Sequence, residues 1–142
     1  MRVYFDTNVL ISAFATRGLC ADVLRLALAE HEVVTSDVVV QETCRVLTKR
    51  LGIPRPVVDE VERFLRSQAV APDPGETPDV ALRDPQDLKV PAAALAGRVD
   101  VFVTGDREIL GAAREIPIRV VNPRGLWELL RQRRRGVPPH RD

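Results

Sequence analysis

Two short apolar runs in this chain end in a carboxylate, "VYFD" at Asp6 and "VFVTGD" at Asp106. Glu42 stands about a turn into the helical pattern "VVVQET", and Asp84 and Asp87 lie in "RDPQD", just before "AAALA". Carboxylates brought together repel, and each raises its neighbour's pKa unless a cation lies between them. A hard divalent ion such as Mg²⁺ or Mn²⁺ removes that strain and takes carboxylate and water oxygens as ligands. Asp6, Glu42, Asp87 and Asp106 are therefore candidate ligands of such an ion, and the chemistry it supports is phosphodiester hydrolysis. Each also has a plain structural use. Asp87 and Asp106 suit helix N-caps, Asp84 a loop cap and Glu42 a solvated helix face. Asp6 is the hardest to explain this way, because it follows a buried-looking strand directly and an unpaired charge there is costly.

Other catalytic arrangements find little support. There is no candidate thiolate or serine triad. His31 stands at a helix end and His140 in a Pro-rich stretch. "VTGDREIL" has one glycine and cannot form a Gly-rich phosphate loop. An enzyme using Asp6 as a covalent nucleophile would want an acid two residues on. That position is Asn8, which cannot give and retake a proton at neutral pH.

The elements that must position these residues alternate. Short strands are expected over 3–5, 32–36, 69–72, 100–106 and 118–121. The first helix is expected over 21–31, where Val23, Leu24, Leu26, Ala27 and Leu28 share a face. A second starts at a Ser36 or Asp37 cap and stops at Gly52. Others fall over 54–68, "KVPAAALAGR", "REILGAAR" and "NPRGLWELLRQRRR", the last capped by Asn122 with Pro123 at its first position. Residues 72–87 have loop composition. The alternation predicts an α/β fold, a three-layer α/β/α sandwich around a mainly parallel sheet of about five strands. One domain is expected over 1–130, followed by a basic, flexible tail over 131–142. In a parallel sheet the strand ends and the following helix starts share one edge, where ligands bind. The acidic residues can meet there.

The net charge of +1 gives no global basic field, so nucleic-acid contact needs a local patch. Arg131, Arg133, Arg134 and Arg135 supply one candidate. They suit RNA phosphates, or simply a solvated helix end. Cys20 and Cys44 have no metal-like spacing and read as small buried hydrophobes. No run is long enough to cross a membrane and no secretion signal is visible, so a cytoplasmic location without membrane contact is expected.

Taken in order, "FDTNVLISA", "SDVVVQET" and "RDPQDLKVPAAALAGRVDVFVTGDREIL" resemble the PIN-domain family, and within it the VapC-type ribonuclease toxins of toxin–antitoxin pairs. The resemblance spans residues 1 to about 121. It implies a metal-dependent endoribonuclease with Asp6, Glu42, Asp87 and Asp106 as the acidic set and Mg²⁺ or Mn²⁺ as cofactor. Asn8 would steady Asp6 or a metal-bound water. Thr104 would do the same near Asp106, with Asp84 as a supporting acid. Partners implied are an RNA substrate, an antitoxin protein and a second copy in a homodimer; the apolar side of residues 57–68 is a docking face or a core-facing one. Leu88 and Pro91 depart from the family pattern, which offers an acid and a large apolar residue there. They are the ground for an alternative, a PIN-like module that binds RNA or a protein without cutting.

Overall fold

The computed structural model describes residues 1–72 and 89–134, with the side chains of 89–91 and 133–134 excepted. The chain opens with strand β1 (Arg2–Phe5), helices α1 (Thr7–Ala15) and α2 (Leu19–Glu30), strand β2 (Glu32–Thr35), helices α3 (Asp37–Lys49) and α4 (Arg55–Arg66) and strand β3 (Ala69–Val70). Helix α5 (Lys89–Ala96), strand β4 (Val101–Val103), helix α6 (Arg107–Gly111), a short 3₁₀ turn (Ala113–Glu115), strand β5 (Arg119–Val121) and helix α7 (Pro123–Arg134) complete it. The five strands form one sheet in the order β3-β2-β1-β4-β5, and every pairing is parallel.

β1 explains why the sheet must be covered twice. Successive side chains of a strand point to opposite faces. Val3, Tyr4 and Phe5 are each at most 1% exposed, so both faces at β1 are buried. That is the condition of a parallel sheet between helical layers. Val23, Val34, Val39, Phe102, Leu126 and Leu130 extend the same core. The α/β sandwich expected from the alternation is the fold observed.

The helix α1 was not expected from the sequence, which placed the first helix at 21–31. Its residues "TNVLISAFA" form a nearly unbroken apolar run without the polar spacing that marks an amphipathic helix. Tertiary burial of Val9 and Leu10 decides its state. The other differences are at boundaries. α2 begins at Leu19 and α3 ends at Lys49. Gly52 then takes φ +61° and lets the Ile53 N–H return to the Leu47 carbonyl at 2.9 Å. Pro91 is the third residue of α5, inside the first turn, where no intrahelical N–H bond is required. α7 runs to Arg134, inside the helix expected over "NPRGLWELLRQRRR".

Gly97 closes α5 against the sheet. A Cβ built there would lie 3.0 Å from Ala71 Cβ and 3.3 Å from Val34 Cγ1. A methyl group there would press both neighbours back by a few tenths of an ångström. α4 is less fully covered: Val58 and Leu65 face the core, while Val57 and Phe64 are exposed.

Candidate active site

The strand order reverses beside β1. The chain moves from β1 outward to β2 and β3, then returns to β4 on β1's other side. The carboxyl edge of the β1–β4 pair is thus the topological switch point, the usual ligand crevice of an open parallel sheet. Register then dictates what stands there. Phe5 pairs with Val103 and Val103 with Val121, so one step further Asp6 stands beside Thr104, and Thr104 beside Asn122. Tyr4 pairs with Val34, so Ser36 stands beside Asp6 on the other side. The row Ser36, Asp6, Thr104, Asn122 crosses the ends of β2, β1, β4 and β5.

Each member has a defined bond. Asp6 is 7% exposed, and its backbone N–H donates to the Val103 carbonyl at 2.8 Å. Its Oδ1 accepts the Thr7 N–H at 2.7 Å, which makes Asp6 the N-cap of α1. Its Oδ2 accepts the hydroxyl of fully buried Thr104 at 2.6 Å. The same Thr104 oxygen accepts the Asp106 N–H at 3.0 Å. One hydroxyl therefore ties together the two strand-end acids, donating to one and accepting from the backbone of the other. Asp106 Oδ1 caps α6 through the N–H groups of Glu108 and Ile109, at 2.8 and 3.2 Å. Its Oδ2 makes no hydrogen bond among the described residues.

Tyr4, two residues before Asp6 on the same face, is completely buried. Its ring stacks on Phe102 with centroids 5.6 Å apart, and its hydroxyl lies 2.6 Å from Ser36 Oγ. Ser36 also accepts the Val39 N–H at 3.3 Å as the cap of α3. Burial pushes the Tyr4 phenol above its ordinary value; the Ser36 bond opposes this and the charge of Asp6 adds to it. The Asp6 carboxylate is thus close enough for the phenol to sense.

Glu42 is placed differently. On α3 it accepts two bonds from the Arg45 guanidinium, the Nε bond at 3.1 Å. Both side chains are nearly half exposed. The bond from Arg45 holds the Glu42 carboxyl below the usual range, partial burial works against it, and the charges of Arg45 and Arg50 reinforce it. Asn8 is exposed in the first turn of α1. Asp84, Asp87 and Leu88 lie outside the described residues. Arg131 is exposed on α7, Arg133 and Arg134 belong to its last turn, and Arg135 lies outside the described residues. Among the described residues no three acidic, histidine or cysteine side chains converge closely enough to hold one ion.

The donor set fits a hard cation in kind. Asp6 and Asp106 offer carboxylate oxygens at one edge. The hydroxyls of Thr7, directly after Asp6, and Thr35, the last residue of β2, are buried without a partner among the described residues. Buried orphan hydroxyls mark places where another polar group is wanted. The sequence missed Tyr4 and Ser36, and it missed that Thr104 reaches Asp6 as well as Asp106. The signal for Tyr4 was its period-2 offset from Asp6; Ser36 needs the β1–β2 register, which no single sequence displays.

A switch-point edge that carries Asp6 and Asp106 in a five-stranded parallel sheet leads to a family. The sequence matches the PIN domain model over residues 2–108, and the chain belongs to the PIN domain family. PIN domains are generally nucleases and typically use divalent metal ions. A chain of VapBC2 from Rickettsia felis, solved bound to a DNA fragment from its promoter, shares the fold at a TM-score of 0.62 and 14% identity, over 86% of this chain and 98% of that one. A PilT N-terminus domain protein from Sulfolobus solfataricus does so at 0.57 and 11% identity, over 100% of this chain and 98% of that one. No curated protein matches the sequence. Among the described residues no helix is long and apolar enough to cross a membrane.

Proposed function

We propose that this chain is a divalent-metal-dependent endoribonuclease and the toxin of a toxin–antitoxin pair. The observation that carries the reading is Thr104, whose hydroxyl joins Asp6 and Asp106 at the switch point. Asp6 and Asp106 would hold the cation, with Glu42 and Asp87 completing the set. When bound, that ion would offset the charge that builds on the phosphodiester during hydrolysis. The chain's own residues do the rest. Thr104 and the N-terminus of α1 keep Asp6 aimed. Asp106 keeps Oδ2 for the site while Oδ1 holds α6. Asn8, exposed beside Asp6, would orient the attacking water or the substrate. Arg131 and the arginines after it would meet RNA phosphates.

The fold shared with a VapBC2 chain supports an antitoxin partner. A surface for it exists on α4, where Val57 and Phe64 are 47% and 37% exposed and Phe64 meets Phe14 of α1 edge-on. A second copy could use the same ridge.

The Glu42–Arg45 pairing favours a second reading, a PIN module that binds RNA without cutting. Both are tested by incubating the purified chain with single-stranded RNA, with Mn²⁺ or with a chelator. Cleavage that needs Mn²⁺ and is lost in Asp6→Asn supports the nuclease. Retained RNA with no cleavage in Mn²⁺ supports the binding module. Cleavage that survives both the chelator and Asp6→Asn rules out this site.

A further inference from the structure

We infer that Tyr4 is a positioning residue of the acidic site, acting through Ser36 to fix the start of α3, and with it Glu42, against the strand end that carries Asp6. The inference rests on the reading of Asp6, Glu42 and Asp106 as metal-holding groups.

Four observations carry it. Tyr4 is anchored on all sides: it lies at the centre of the sheet, is completely buried and stacks on Phe102 of β4. Among the described residues its hydroxyl makes a single side-chain bond, to Ser36 Oγ at 2.6 Å. Ser36 is the cap of α3 and, by register, the β2 neighbour of Asp6. The outer side of the same helix start is held independently, by Arg66 of α4 on Asp37 at 3.0 Å. The first turn of α3 is therefore held from inside and outside, and Glu42 lies five residues after Asp37 on the same helix.

The hydroxyl pair has a further property. It contains two O–H protons, and only one lies between the two oxygens. Ser36 Oγ already accepts the Val39 N–H and either donates to or accepts from the Tyr4 hydroxyl. The direction of the Tyr4 bond thus sets whether Ser36 keeps a proton to donate at the edge where Asp6 stands. Tyr4 never reaches the site itself; it decides how Ser36 and α3 are presented to it.

The test is a double-mutant cycle read by Mn²⁺ calorimetry on the full chain, with wild type, Tyr4→Phe, Glu42→Gln and the double variant. Tyr4→Phe keeps the ring and its stacking and removes one neutral hydrogen bond. It should weaken Mn²⁺ binding about threefold to tenfold, the span of one such bond. In the Glu42→Gln background the same change should have a clearly smaller effect. A role confined to stability would lower the melting temperature and leave Mn²⁺ affinity unchanged. Ser36→Gly is the second variant: glycine caps nearly as well as serine but offers Tyr4 no partner. It should reproduce the Tyr4→Phe loss. Unchanged affinity in both variants, or losses that multiply independently of Glu42, would overturn the inference. Failure of the wild type to bind Mn²⁺ would overturn the metal reading, and this inference with it; wild-type binding insensitive to Tyr4 would overturn this inference alone.

Discussion

Thr104 joins two candidate ligands through one hydroxyl. Its hydroxyl satisfies the Asp6 carboxylate and the Asp106 amide at once, in a position fully closed to water. Replacing it by valine keeps the shape and strands both groups. Thr104→Val should therefore cost about 1–3 kcal/mol in urea unfolding, the penalty of unsatisfied buried polar groups, and Thr104→Ser should recover most of it. A loss too small to measure would mean the bond is not formed in solution. Asp6 is likewise a helix cap as well as a candidate ligand, so its charge has two uses. Arg45 poses the opposite case, a cation already on a candidate ligand. The depressed Glu42 pKa means the pair contributes above the ordinary glutamate range and is lost as pH falls through the folded value. Both partners are well exposed, so that contribution is small. Arg45→Gln should leave stability little changed and tighten Mn²⁺ binding by freeing Glu42. Equal or weaker binding would show that Glu42 is not a ligand.

At the scale of elements, the strands and most helices were legible because their patterns are local. Val–Tyr–Phe closing in Asp, Ser36 opening α3, and Asn122-Pro123 opening α7 are short-range signals, and the Gly125 N–H does bond to Asn122 Oδ1 at 2.7 Å. α1 was illegible because its apolar run has no helical spacing, and only packing under the sheet edge settles it. The acidic residues were legible as strand-end and helix-start residues. Their partners were not: Thr104 reaches across 98 residues to Asp6, and Tyr4 across 32 to Ser36. Those contacts depend on strand order, which the sequence does not display. Gly97 is a similar long-range device, setting α5 against Ala71 and Val34. Gly97→Ala should cost about 1–3 kcal/mol, the usual penalty of overpacking, with a matching fall in the urea midpoint. A neutral result would mean that α5 can move away from the sheet without loss.

At the scale of the molecule, one central strand serves both stability and the site. β1 is flanked by β2 and β4, is buried on both faces, and delivers Asp6 at the point where the strand order reverses. The near-neutral chain has no global field to draw in RNA, so association should depend on local arginines. Cutting the chain after Gln132 removes Arg133, Arg134 and Arg135. RNA binding measured by filter retention should weaken, most at low salt, where phosphate contacts contribute most. Binding unchanged across salt would assign those arginines to a solvated helix end instead.

The central claim is that Asp6 and Asp106 hold one cation at the β1–β4 edge, and Mn²⁺ calorimetry on the wild type beside Asp6→Asn and Asp106→Asn tests it most directly. The account predicts binding in the wild type and its loss in both variants, each still folded by circular dichroism. Absence of binding in the wild type at millimolar Mn²⁺, or binding that persists in both variants, would contradict it.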